Sequence, residues 1–262
     1  MSELSLDQLF TQRFGETPSV PKALSANSAL QRIASRGSCR RFTSQPVDPA
    51  MLEALCAAAL CAPSKSDLQQ RDILIVTDPL LLQNLKSQLS AQHWIENTPA
   101  MVVFLANNRR QRQMQSWHNQ PFPNDHLDAF FNASVDAGIA LAFFMAAAEM
   151  TGLGCCPIST IRNHMSEVQR FLRLPDHVFP IAGMAIGHPA QPPTISARLQ
   201  LSKTVHLNQF SDVTPQDLHS YDERRLDGAD GKGWSADKAE MYAFPQRVDF
   251  ADFIRSIGFS LD

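Results

Sequence analysis

Arg36-Gly37-Ser38-Cys39-Arg40-Arg41-Phe42 is the stretch on which the reading of this chain turns. Three guanidiniums and a hydroxyl fall within seven residues, and an aromatic closes the run. A guanidinium presents a planar fork of donors that matches phosphate oxygens two at a time, and the serine adds a neutral donor. The stretch therefore suits a grip on the phosphate and polar edge of a cofactor. A plainer reading stands beside it. A helix is expected over 27–36, ended by Gly37 in the left-handed conformation. Arg32 and Arg36 would then complement the negative end of the helix dipole.

Outward from this stretch, composition sets limits. The chain has 262 residues, room for one large domain or two small ones. With 44% hydrophobic and 19% charged residues it can build an ordinary globular core. A net charge of −3 lacks the basic footprint of a nucleic-acid binder. The cysteines are Cys39, Cys56, Cys61, Cys155 and Cys156, an odd set without a framework, which points to free thiols in a reducing compartment. The histidines are scattered and no HExxH or Cys/His cluster occurs, so no metal site is expected. The first fourteen residues lack a basic run followed by an apolar core, so a cytoplasmic location is expected.

Asp48-Pro49 and Asp78-Pro79 each place a capping carboxylate before a proline, which predicts two helix starts. Pro63 stops the first helix, the second runs to about 89, and 91–99 reads as irregular. Apolar, β-rich runs predict strands over 73–76, 100–106, 154–158 and 178–187. The strongest helix spans about 127–151. Its residues 137–148 are all apolar or Gly, shorter than the roughly 18 that suggest a membrane span. Such a helix must be buried on all sides, as a central core helix or at a subunit interface. Gly152-Leu153-Gly154 follows that helix rather than a strand, so it reads as a helix end and not as a dinucleotide loop. A shorter helix is expected within 160–173 and a last one within 248–259. The stretch 107–126 reads as an excursion or lid, and the charged, Gly-rich 221–236 as a mobile loop. Together these predict one α+β domain over 1–262, a sheet flanked by helices.

With RxSxRxF in place at 36–42, the downstream order resembles the nitroreductase family, and within it the larger, NADPH-preferring enzymes. Three further pieces carry the resemblance. They are Ala62-Pro63-Ser64-Lys65-Ser66 with Gln69 before a strand; Asp136-x-Gly138 through Gly152-Leu153-Gly154; and Ile161-Arg162-Asn163, Leu174-Pro175, Gly187-His188-Pro189 and Ala197-Arg198-Leu199. The resemblance implies a mainly antiparallel central sheet and a homodimer with FMN at each subunit interface. It implies that Arg36, Ser38 and Arg198 hold the FMN phosphate, and that Arg40 sits at the pyrimidine edge of the flavin. Ser64, Lys65 and Ser66 would lie along the other subunit's flavin, Gln92 at the isoalloxazine edge, and Ile158 and Ser159 near N5. NADPH or NADH would deliver hydride to N5 in a ping-pong cycle, and a nitroaromatic, quinone or flavin would take two electrons. No side-chain catalytic base is implied, and neither nucleic acid nor membrane is a partner. Arg162, Arg225 and Lys232, with Arg224 beside them, are candidates for substrate contact. Two departures stand out: Ser196 occupies a place where the larger enzymes commonly carry lysine, and Ser159-Thr160 replaces a Gly-Gly pair. A member with a specialised acceptor, dehalogenase-like or biosynthetic, and a non-catalytic FMN-binding protein remain alternatives.

Overall fold

A computed structural model describes residues 4–89 and 92–262; the expectations for residues 1–3 and 91 lie outside them. The chain divides into two compact units. One comprises the described residues up to Gly37 together with Pro193–Gln246, the other Ser38–Pro192 together with Arg247–Asp262. Helices are numbered along the chain. The smaller unit holds α1 (Leu6–Phe14), α2 (Ser28–Ser35), α8 (Pro215–Leu226) and α9 (Trp234–Tyr242). The larger holds α3 (Pro49–Leu60), α4 (Pro79–Ser87), α5 (Arg109–Trp117), α6 (Leu127–Met150), α7 (Met165–Leu172) and α10 (Phe250–Ser256).

The larger unit is built on a four-stranded sheet of β1 (Arg71–Val76), β2 (Ala100–Asn107), β3 (Gly154–Ile158) and β4 (Val178–Gly187). The order is β1-β2-β4-β3 and every pairing is antiparallel. Each strand falls where its apolar run predicts. The β2–β4 ladder slips between Phe104 and Leu105, beside Pro180, which has no N–H to give. Alternation along β2 sends Val102 and Phe104 to one core layer with Phe144, Met184 and Ile186. Met101 and Val103 go to the other with Leu85, Ile161 and Val168. The rings of Phe104 and Phe144 meet edge-on at 5.4 Å between centroids, tying α6 to the sheet.

Asp48 and Asp78 do cap α3 and α4, accepting from Ala50 N–H at 2.9 Å and Leu81 N–H at 2.8 Å. Gly152 ends α6 with φ +85°, a conformation open to glycine at little cost. α6 is only partly what its composition predicts. Ala133, Ala137, Ala140, Phe144 and Ala148 are buried against the sheet and α3. Phe131 is 60% exposed, and Leu127, Val135 and Phe143 also face outward. The helix is long and apolar enough to cross a membrane by length and composition, yet one of its faces is the centre of this unit's core.

Three expectations are corrected. Gly37 is not a left-handed helix end: α2 stops at Ser35, and Arg36 leaves it in an extended conformation (φ −58°, ψ 149°). Glycine is needed there for close approach, because a Cβ would come within 2.4 Å of the Thr194 carbonyl oxygen. The stretch 107–126 contains α5, two of whose three arginines are partnered. Arg110 pairs with Asp72 at 2.7 Å, and Arg112 pairs with Asp125 and lies 4.7 Å from the Phe122 ring centroid. The stretch 221–236 is the end of α8, a short turn and the start of α9. A capping box between Thr214 and Asp217 starts α8, and Asp222 accepts from Ser235 N–H at 2.9 Å to hold α9 against it.

Candidate functional site

In the smaller unit, four guanidiniums converge. Arg13, Arg36, Arg198 and Arg225 line one cavity of about 660 Å³, walled by Tyr221 and Trp234. The two rings stand edge to face at 5.2 Å. Arg36 and Arg198, predicted to share a phosphate from opposite ends of the chain, do meet around this space. Arg198 is held by its own segment, its Nη1 donating to Ser196 Oγ at 2.6 Å. Arg225 donates to Tyr221 Oη at 3.0 Å. Arg225, predicted for the substrate, thus shares its cavity with the residues predicted for the cofactor phosphate. Lys232 lines a smaller space of about 210 Å³ with Arg225 and Trp234, and is paired with Glu240.

In the larger unit, residues 38–43 run along the sheet end where β3 begins and β4 finishes. Cys39 N–H donates to Cys155 O at 3.0 Å, Thr43 N–H to His188 O at 2.9 Å, and Phe42 bridges Pro189. These bonds present Ser38 and Arg40 on the surface. The Arg40 guanidinium lies 5.9 Å from the Trp94 ring centroid, a cation–π contact that holds the charge in place. Gln92, close by in sequence to Trp94, donates to Thr160 Oγ1 at 2.9 Å. That bond joins Gln92 to the segment after β3, at the strand's end where Ile158 is buried and the next residue, Ser159, is exposed. Cys39 is no thiolate centre: burial pushes its thiol above the ordinary cysteine value, so it stays protonated near neutral pH. Arg41 donates to Gln191 Oε1 at 3.3 Å.

Ser64, Lys65 and Ser66 form a tight turn after α3. Ser66, Asp67 and Gln69 all have positive φ between 50° and 56°, strained for residues with a side chain. The turn is held from beneath by Asp136 of α6. Its carboxylate accepts from Lys65 N–H at 2.9 Å and Gln70 N–H at 3.1 Å, and the residue is fully buried. Ser64 Oγ accepts from Gln69 N–H at 3.1 Å. Arg162 turns inward. It donates to the Ile181 carbonyl of β4, and burial, with Arg247 nearby, lowers its pKa.

Two further residues were given no site role in the sequence reading. Asp136 did carry a signal: it is an acid within an apolar helix, and a buried carboxylate must be paired. Arg13 carried none, since its partners lie at Ala34, Arg36 and Ser196, the last 183 residues away.

Comparison with known proteins gives concordant results. The model of the nitroreductase family matches residues 33–188. An FMN reductase (NAD(P)H) of Bacillus subtilis is 29% identical over 247 residues, covering 90% of this chain and 99% of its own. An oxygen-insensitive NADPH nitroreductase of Salmonella typhimurium is 32% identical over 198 residues, covering 74% and 80%. Among solved structures, an NADPH:FMN oxidoreductase from Vibrio harveyi complexed with NAD+ superposes with a TM-score of 0.82 at 28% identity, covering 88% of this chain and 98% of that one.

Proposed function

The chain belongs to the nitroreductase family, and from that premise we infer that it is an FMN-dependent NAD(P)H oxidoreductase acting on small acceptors such as nitroaromatics, quinones or flavins. The observation that carries this reading is the arginine-lined cavity of the smaller unit. Its donor set fits a phosphate: several guanidinium forks face one space of about 660 Å³, within the range of small-molecule sites. FMN, when bound, supplies the redox chemistry, accepting two electrons from a nicotinamide and passing them to the acceptor.

The protein's part is position and charge. Arg36 and Arg198, with the hydroxyl of Ser38, are assigned to the phosphate. Arg40, steadied by Trp94, is assigned to the pyrimidine edge of the ring. A guanidinium already in place there can meet developing negative charge without reorganisation. Gln92 and the Ile158–Ser159 segment are assigned to the ring, and their link through Thr160 keeps them in register. Ser64, Lys65 and Ser66 are assigned to the flavin of a partner subunit. The exposed apolar row on α6 supports a homodimer built across that helix. Arg225 and Lys232 are assigned to the nicotinamide nucleotide, with NADPH or NADH as donor, and Arg162 to holding β4 near the acceptor side. The protein is assigned to the cytoplasm.

Arg40→Ala tests the division of labour. It is expected to slow flavin reduction by NADPH in stopped flow by about tenfold to a hundredfold while FMN affinity moves less. Equal losses in both would reduce Arg40 to an anchor.

A further inference from the structure

We propose that Arg13 of α1 is the positioning residue of the phosphate site, holding Arg36 and Arg198 around the cavity and covering the negative end of α2 beside it. The inference rests on the reading of this cavity as the FMN phosphate site. Arg13 lies outside the residues matched by the family model. It is 7% exposed and yet lines the same cavity as Arg36 and Arg198.

Its bonds explain the role. The Arg13 guanidinium donates to Ala34 O from Nε at 3.2 Å and from Nη2 at 2.9 Å. It also donates to Arg36 O, and from Nη1 to Ser196 O at 3.2 Å. Its main-chain carbonyl accepts from Arg198 N–H at 2.6 Å and from Arg224 Nη1 at 3.2 Å. One residue therefore ties the exit of α2 to the 196–198 segment through both its side chain and its backbone. Gly37 makes the approach possible, since a side chain there would strike Thr194.

The electrostatic consequence is as important as the geometry. The last carbonyls of a helix have no partners within it and carry its negative end. At the exit of α2 those oxygens stand next to Arg36, where they would repel an anion. Arg13 occupies one of them, Ala34 O, with two N–H groups, takes the Arg36 carbonyl beside it, and places a positive charge there. The end of α2 is thereby changed from a surface that repels phosphate into one that accepts it. Ser196, uncharged and bonded to the Arg198 guanidinium, adds no cation of its own.

The test is a titration of the apoprotein with FMN and with riboflavin, which lacks the phosphate. Wild type is compared with Arg13→Lys, Arg13→Met and Arg36→Met, with circular dichroism recorded for each. Arg13→Met is expected to weaken FMN by about tenfold to a hundredfold, the scale of one or two charge-assisted bonds, and to leave riboflavin within about threefold. Arg13→Lys, which keeps the charge without the fork, is expected to fall between. If Arg36→Met loses the preference for FMN while both folded Arg13 variants keep it, the role of Arg13 is overturned and the phosphate site stands. Equal weakening of FMN and riboflavin in Arg13→Lys also overturns it, as that is the mark of a purely structural residue. If wild type binds FMN no better than riboflavin, the phosphate site itself is wrong and the inference falls with it.

Discussion

Removing the Asp136 carboxylate should unfasten the turn that carries Ser64, Lys65 and Ser66. Asp136 is fully buried, and its two oxygens accept from the N–H groups of Lys65 and Gln70. A hydrogen bond to a charged group contributes about 1.5–3 kcal/mol, and truncating the acceptor also leaves the donors unmet. Asp136→Ala should therefore cost about 3–5 kcal/mol, at the upper end of single substitutions. Asp136→Asn keeps one acceptor and turns an NH2 toward the other donor, for about 1–3 kcal/mol. For a chain of this size each kcal/mol lowers the melting temperature by about 2 °C, so the alanine variant should melt roughly 6–10 °C lower. The turn holds Ser66, Asp67 and Gln69 at positive φ, so once released it should relax rather than wait in place. Thermal unfolding by circular dichroism without flavin reads the first effect, and FMN titration reads the second. An alanine variant that melts within about 1 °C of wild type, as a surface substitution would, refutes the clamp.

Two further outcomes follow from the same structure. His177 has its pKa lowered from the ordinary 6.5, first by burial and then by the charge of Arg112. Its folded value lies below its unfolded one, so the neutral ring's stability is full above pH 6.5 and is lost as pH falls through the folded value. Melting temperature should drop between about pH 7.5 and pH 5.5, and less so in His177→Asn, which tolerates the left-handed backbone there; a rise on acidification would contradict this. On α6, Phe131 is 60% exposed in an apolar row, so Phe131→Lys should shift sedimentation from dimer to monomer. An unchanged sedimentation coefficient would remove α6 from the interface.

Features decided by local chemistry were legible in the sequence. The Asp-Pro pairs before α3 and α4, the glycine after α6 and the apolar runs of all four strands declare themselves within a few residues. Features decided at a distance were not. α5 looks like a polar excursion until Asp72, Asp125 and Phe122 are seen to partner Arg110 and Arg112. Gly37 looks like a helix end until Thr194 is seen against it. α6 looks buried on all sides because composition records how apolar a helix is and not which of its faces the rest of the chain covers. At the site, the residues named from the sequence belong to compact motifs, while Arg13 depends on carbonyls contributed by two segments far apart in the chain. Asp136 was visible as an acid among apolar neighbours, but its partners lie in a turn far away in the chain.

The central claim is that this chain binds FMN and lets a nicotinamide reduce it. Apoprotein titrated with FMN and then mixed anaerobically with NADPH or NADH should first acquire the flavin absorption band, one flavin to each chain. It should then lose the band, and recover it when a quinone or nitroaromatic is added. A protein that takes up no FMN, or whose flavin band neither nucleotide bleaches, would contradict the account.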